Sequence, residues 1–207
     1  LSLYAQYFMP VEAVEVLTNL QDHTPALAWT RIEAELRAAL GEQYHDFEIE
    51  RTALAAASLG QVHRALHIPT QTQVCLKIQY PGVAEAIKSD VYSLSRLVSM
   101  LRLMPKDLNV DAVFAEVEQM LYQEVDYGHE LAQTEAYFAR YGNDPRYVVP
   151  RPLSEYCSDR LLVLSYESSH HVQNPCEQNL SQTQRNFLAE SALHVFLDEF
   201  FVWNRVQ

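Results

Sequence analysis

Between Gln73 and Tyr80 the chain reads QVCLKIQY, an alternation whose period of two is that of a β-strand. Val74, Leu76, Ile78 and Tyr80 fall on one face; Cys75, Lys77 and Gln79 fall on the other. Pro81-Gly82 ends the run, because proline has no amide hydrogen for a ladder and glycine accepts turn dihedrals. From Val83 the period changes. Val83, Ile87, Val91, Leu94, Val98 and Leu101 are spaced 4, 4, 3, 4, 3, the stripe of an amphipathic helix that stops before Pro105. A strand that leads directly into a long helix points to an α+β chain.

The rest of the sequence extends this reading. Residues 1 to 43 read as helices, with Pro10 suited to a first turn and a segment from Trp29 or Thr30 ending near Gly41. FEIERT (47–52) and Val62 to His67 alternate like strands. Asp111 opens a helix reaching about Tyr141, and Gly142-Asn143-Asp144-Pro145 forms a turn. YVVPRPL (147–153) and RLLVLSY (160–166) read as two further strands joined through Tyr156-Cys157-Ser158-Asp159. A polar loop from Glu167 to Gln178 leads to a last helix from Leu180, capped by Asn179 or Ser181. Five strands with helices between the third and fourth form the layout of a protein-kinase small lobe, and the last helix would open a large lobe.

At 207 residues, 48% hydrophobic and 20% charged, the chain can bury one core or two small lobes. A net charge of -12 argues against nucleic acid as a partner, since phosphate contacts need a basic surface. It leaves room for an anionic small ligand, because a pocket's local field can oppose the overall sign. Cys75, Cys157 and Cys176 have neither metal spacing nor an even number, so reduced thiols are expected. No signal peptide is visible, and no apolar run reaches the roughly 18 residues of a membrane-spanning helix. The chain starts at Leu1 and stops at Gln207, just after an apolar run, and is expected to be a piece of a longer protein.

Lys77, in the middle of an apolar strand, is either a solvent-facing edge residue or one half of an ion pair. The long helix supplies a partner. Its stripe runs Val113, Val117, Met120, Glu124, Tyr127 and Leu131, which places a carboxylate at a core-facing position. Burying that group alone would cost several kcal/mol, so it needs a cation, and Lys77 is suited to be one. The alternative is a slightly different helix phase that leaves Glu124 at the solvent boundary. A strand lysine paired to a helix glutamate is how kinases hold the α- and β-phosphates of ATP. Ala55 to Gln61 then falls where a kinase places its glycine-rich phosphate cover. Alanines keep the small profile but restrict the backbone, so this loop is expected to be stiffer. His63 reads as a surface residue, and the adjacent His170 and His171 as part of a solvated loop.

Four segments, AAASLGQVHRA, VCLKIQYPGV, EVDYGHE and VPRPLSEYCSDRLLVLSYE, occur in this order and together resemble the UbiB family of atypical kinase-like proteins. The resemblance covers essentially the whole chain. It implies a kinase-like small lobe with a five-stranded antiparallel sheet and long helix over 46–167, a helical N-terminal extension over 1–45, and the start of a large lobe over 168–207. It implies that Ala55, Ala56, Ala57 and Ser58 form an alanine-rich nucleotide loop and that Lys77 holds the ATP phosphates. Glu124, paired to the lysine, and Asp126 are then the acids of the family's ExD signature. Glu130 matches a further family glutamate, and Ser165, Tyr166 and Glu167 form the hinge that binds adenine.

The same resemblance implies an ATP-dependent kinase or ATPase that supports ubiquinone biosynthesis, with ATP and Mg²⁺ as cofactors. Quinone-biosynthesis proteins and membrane lipids are the implied partners, at a bacterial inner membrane or in the mitochondrial matrix. The family's KxGQ motif belongs before Leu1, and its Mg²⁺ ligands and catalytic aspartate belong from about Gln207 onward. Leu131 and Gln133 depart from the family's usual alanine and asparagine, and SSHHVQ departs from a common glycine. The alternatives are a pseudokinase scaffold that binds nucleotide without chemistry, a kinase that phosphorylates a protein or small molecule, and a purely helical interaction domain.

Overall fold

A computed structural model of the chain describes residues 26–56, 59–101, 110–169 and 180–203. The helices expected before residue 26, Ala57 and Ser58 of the alanine loop, His170, His171 and Cys176 lie outside the described residues. In chain order the elements are α1 (Trp29–Leu40), a 3-10 turn (Gly41–Asp46), β1 (Phe47–Ile49), β2 (Ala55–Ala56), β3 (Gly60–His67) and β4 (Thr72–Gln79). There follow α2 (Val83–Leu101), α3 (Val110–Glu124), α4 (Tyr127–Tyr141), a 3-10 turn (Ser154–Tyr156), β5 (Leu161–Ser165), α5 (Gln182–Asp198) and a π-turn (Glu199–Trp203).

The five strands form one antiparallel sheet in the order β1-β3-β4-β5, with β2 also on β3. The β3–β4 hairpin is its spine, in register from Gly60 opposite Gln79 to His67 opposite Thr72. β1 and β2 pair with opposite ends of β3, and the Glu50 and Leu54 amides donate to Arg64 and Val62 between them. They act as one interrupted strand. β5 closes the other side, with Lys77 opposite Leu162 and Leu76 opposite Val163.

Alternation in β4 is as the sequence predicts, and Val74, Leu76 and Ile78 are buried. Their cover is α1, whose Ile32, Leu36 and Leu40 lie one turn apart and pack on this face with Phe47, Ala65, Leu161 and Val163. β3 contributes polar groups to the same face. His63, expected at the surface, is fully buried, because it lies opposite Leu76 in the hairpin and so faces α1. Its Nδ1 lies 2.8 Å from the Glu50 carbonyl oxygen and its Nε2 lies 2.7 Å from Gln61 Nε2. Gln61 Oε1 accepts from the Leu27 amide at 2.8 Å. One tautomer satisfies all three contacts: the Gln61 amide donates to Nε2, and Nδ1–H donates to the carbonyl. This buried relay ties the entry of α1 to the sheet.

Two expected elements differ. Residues 147–153 are not a strand. The Leu153 amide donates to Val163 and the Ser165 amide to Arg151, but Pro150 and Pro152 have no amide hydrogens, and a bridge between Pro152 and Leu164 is what remains. The short β2 supplies the fifth strand instead. The single helix expected from Asp111 to Tyr141 is two helices, broken at Val125-Asp126. Asp126 starts the second one, with its Oδ1 accepting from the His129 amide at 2.8 Å. The stripe of α3 is therefore Phe114, Val117, Leu121 and then Val125, packed with Ile87 and Val91 of α2. Met120 is exposed, and so is Leu94 of the α2 stripe.

The chain divides into two compact units, Leu1–Glu135 with Arg151–Tyr166, and Ala136–Pro150 with Glu167–Gln207. In the second, Tyr137 hydrogen-bonds to Glu199, and Arg140 and Tyr141 both bond to Asp198 at 2.9 Å. Arg140 holds the Asp198 carboxyl below its ordinary range. α5 opens on a full capping box between Ser181 and Gln184.

Leu36→Ala removes a fully buried side chain from the contact between α1 and the sheet. It is expected to cost about 2–5 kcal/mol in urea denaturation. A loss under about 1 kcal/mol would show that α1 does not cover this face.

Candidate functional site

The face of the sheet turned away from α1 carries Val62 and Arg64 of β3 and Cys75, Lys77 and Gln79 of β4. Arg64 and Lys77 retain 38% and 30% of their side-chain exposure, while Gln79 and Leu162 on the same face are buried, so this face is only partly open. The Lys77 ammonium donates to both carboxylate oxygens of Glu130, at 2.6 and 2.8 Å. The expected partner, Glu124, is the last residue of α3 and is exposed. The reason is the helix break. A continuous helix would have carried Glu124 inward, but the break at Val125-Asp126 restarts the phase, and Tyr127 and Glu130 share the face of α4 that meets β4. The solvent-boundary alternative for Glu124 describes the structure, and the ion pair is half-exposed rather than buried.

The break is held by a residue that the sequence reading passed over. Gln79, 4% exposed, donates its side-chain amide to the Val125 carbonyl at 2.5 Å and to the Asp159 carbonyl at 2.8 Å. One amide thereby joins the end of β4, the α3–α4 junction and the turn before β5. A side-chain amide on the same strand face as Lys77 was the available signal. Asp126 of the expected acid pair serves as the cap of α4.

Tyr127, 2% exposed, places its ring 4.8 Å from the Lys77 ammonium. Its hydroxyl reaches the root of the alanine loop, where a Cβ on Gly60 would come within 2.9 Å of it and 2.6 Å of the Ile78 carbonyl. A side chain at residue 60 has no room. Burial first, then the charges of Glu130 and Glu124, push the Tyr127 phenol well above its usual range. Ala55 and Ala56 are the exposed strand β2, paired with Val62 and Gln61.

At the other end of the face, Arg64 pairs with Glu50 at 2.7 Å and lies 5.3 Å from the centre of the Tyr166 ring. Burial raises the Cys75 thiol above its ordinary range, so it is protonated at neutral pH. Ser165 ends β5 and its hydroxyl accepts from the Arg151 amide, while the Tyr166 amide donates to Gln73. Glu167 is exposed. Among the described residues, no group of three His, Cys, Asp or Glu side chains could hold a metal ion. This donor set does not fit Mg²⁺ by itself.

A profile of the ABC1 atypical kinase-like domain matches residues 19–207. The chain belongs to this family. Relatives of the ABC1 kinase-like chain include the mitochondrial atypical kinase COQ8 of Saccharomyces cerevisiae, 30% identical over all of this chain and 41% of the yeast protein. The mitochondrial atypical kinase COQ8B of Rattus norvegicus is 35% identical over 83% of this chain and 32% of its own length. The structure of the Rv3197–erythromycin complex from Mycobacterium tuberculosis matches 96% of this chain and 51% of that one, with a TM-score of 0.68 and 25% identity. The ABC1 kinase-like chain thus spans about half or less of the length of these relatives. The UbiB resemblance and the kinase-like α+β fold expected from the four motifs hold.

Gln79→Leu removes the side-chain donor from the Asp159 carbonyl of the ABC1 kinase-like domain and one of two donors from the Val125 carbonyl, which also accepts from the Tyr127 amide. A loss of about 2–4 kcal/mol is expected in urea denaturation. Asp126→Ala, which removes one cap, is expected to cost about 1 kcal/mol. Equal effects of the two substitutions would contradict the clamp.

Proposed function

We propose that this chain is the nucleotide-binding part of an ATP-dependent atypical kinase or ATPase that supports ubiquinone biosynthesis. The observation that carries the reading is the ion pair of Lys77 with Glu130 on the partly open face of the sheet, at 2.6 Å. An ammonium held by one carboxylate and still 30% exposed can turn a donor toward an anionic ligand. A strand lysine oriented by a helix glutamate is the arrangement that kinases use on ATP phosphates. In this reading Lys77 neutralises phosphate charge and Glu130 fixes the lysine's position. Glu124 and Asp126 are the family's signature acids by resemblance, and Asp126 also starts the helix that delivers Glu130.

Ala55 to Ser58 would cover the phosphates, and the backbone of Ser165, Tyr166 and Glu167 would meet the adenine. Residues 46–167 are read as the nucleotide lobe, 1–45 as a helical extension and 168–207 as the start of a second lobe. ATP supplies the transferable phosphoryl group, and Mg²⁺ would be held by groups outside the described residues. The names of the mitochondrial relatives support a mitochondrial setting, and the family resemblance adds a bacterial inner membrane as the alternative and quinone-biosynthesis proteins as partners. No described helix is long and apolar enough to cross a membrane.

Lys77→Ala and Glu130→Ala, made singly and together in the whole protein, test the assignment by titration with ATP. Each single change is expected to weaken binding about tenfold, and the pair should weaken it little further, because both remove one coupled unit. Wild-type affinity in both single variants would refute the site.

A further inference from the structure

Beyond the lysine and its carboxylate, the site holds a third group on the same ammonium. Tyr127 and Glu130 lie three residues apart on α4, on one face, and both meet Lys77. Glu130 engages the ammonium with two oxygens, and the Tyr127 ring presents its π-face 4.8 Å away. A carboxylate alone fixes one direction of a flexible four-carbon side chain. A ring beside it restricts the lateral freedom that the carboxylate leaves.

The ring is itself tightly located. It is 2% exposed, it opens α4 directly after the Val125 carbonyl that Gln79 holds, and its hydroxyl end abuts Gly60. A Cβ at Gly60 would strike that hydroxyl, and glycine has none. The ring is therefore braced at both ends and can act as a fixed wall.

We propose that Tyr127 is a positioning residue for Lys77, its π-face setting where the ammonium stands when it meets the anionic ligand. The proposal rests on the nucleotide reading of the site. The aromatic face carries the role, and the hydroxyl serves packing against Gly60. A cation over a ring is worth enough to change affinity by about three- to thirtyfold, according to how far the site is dried.

The test is a substitution series in the whole protein, titrated with ATP and melted in parallel. Tyr127→Phe is expected to bind ATP within about twofold of wild type, whereas Tyr127→Leu should weaken binding about tenfold. In steady state, Tyr127→Leu should raise the KM for ATP by a larger factor than it lowers kcat. Should Tyr127→Leu fail to fold, phenylalanines bearing one, two and three ring fluorines at position 127 replace it. Fluorine drains the π-face while keeping the shape, so affinity for ATP is expected to fall stepwise with fluorine number. Affinity independent of fluorination, or wild-type affinity in Tyr127→Leu beside weak binding in Lys77→Ala, would overturn the proposal and leave the nucleotide site standing. Wild-type ATP affinity in Lys77→Ala would remove the nucleotide reading itself, and the role of Tyr127 with it.

Discussion

The amide of Gln79 is the constraint from which the site's geometry follows. Both of its contacts go to backbone carbonyls, Val125 at the α3–α4 junction and Asp159 before β5. The Val125 carbonyl is buried and also accepts from the Tyr127 amide, so two donors hold the junction in place. Holding it there ends α3 at Glu124 and lets α4 begin at Tyr127. The helix that results points Tyr127 and Glu130 at Lys77. Gln79 hydrogen-bonds to neither member of the ion pair; it holds the junction from which Asp126 starts the helix that carries Glu130.

The two faces of the sheet have opposite economies of water. One is sealed by α1 and packed with aliphatic side chains, and the polar groups that β3 sends into it are satisfied in a closed relay from Leu27 through Gln61 and His63 to Glu50. The other keeps its cations partly wet. Lys77 and Arg64 each have a carboxylate partner and an aromatic neighbour, Glu130 with Tyr127 and Glu50 with Tyr166. A sheet rigid on one side and charged on the other is suited to present cations to an anion without moving its backbone.

Much of this was legible in the residues, for identifiable reasons. The β4 alternation placed Lys77 on the face away from Val74, Leu76 and Ile78, because a strand's period of two leaves no other assignment. The order of strands and helices pointed to a kinase-like small lobe, and the four motifs pointed to the family. The errors were errors of phase and of pairing. A stripe from Val113 to Leu131 counts well as one helix; Asp126 is a local cap signal for a break, which a glutamine more than forty residues earlier in the chain also holds. Pro150 and Pro152 did signal that YVVPRPL could not hold a full ladder. His63 was placed outside because a histidine in a strand is usually wet, and its burial depends on α1, which meets β3 across the sheet.

Local sequence therefore determined β3, β4 and β5, the helix from Val83, the turn at Pro81-Gly82 and a cap at Asn179 or Ser181, since each follows from the periodicity and chemistry of neighbouring residues. It also put Lys77 on the face away from the aliphatic core, with a helix carboxylate as one of two readings for its surroundings. Only the tertiary structure decided that the carboxylate is Glu130, that the pair stays half in water, and that Gly60 makes way for Tyr127. Those outcomes depend on contacts between residues far apart in the chain, where one hydrogen-bonded amide shifts the phase of a whole helix.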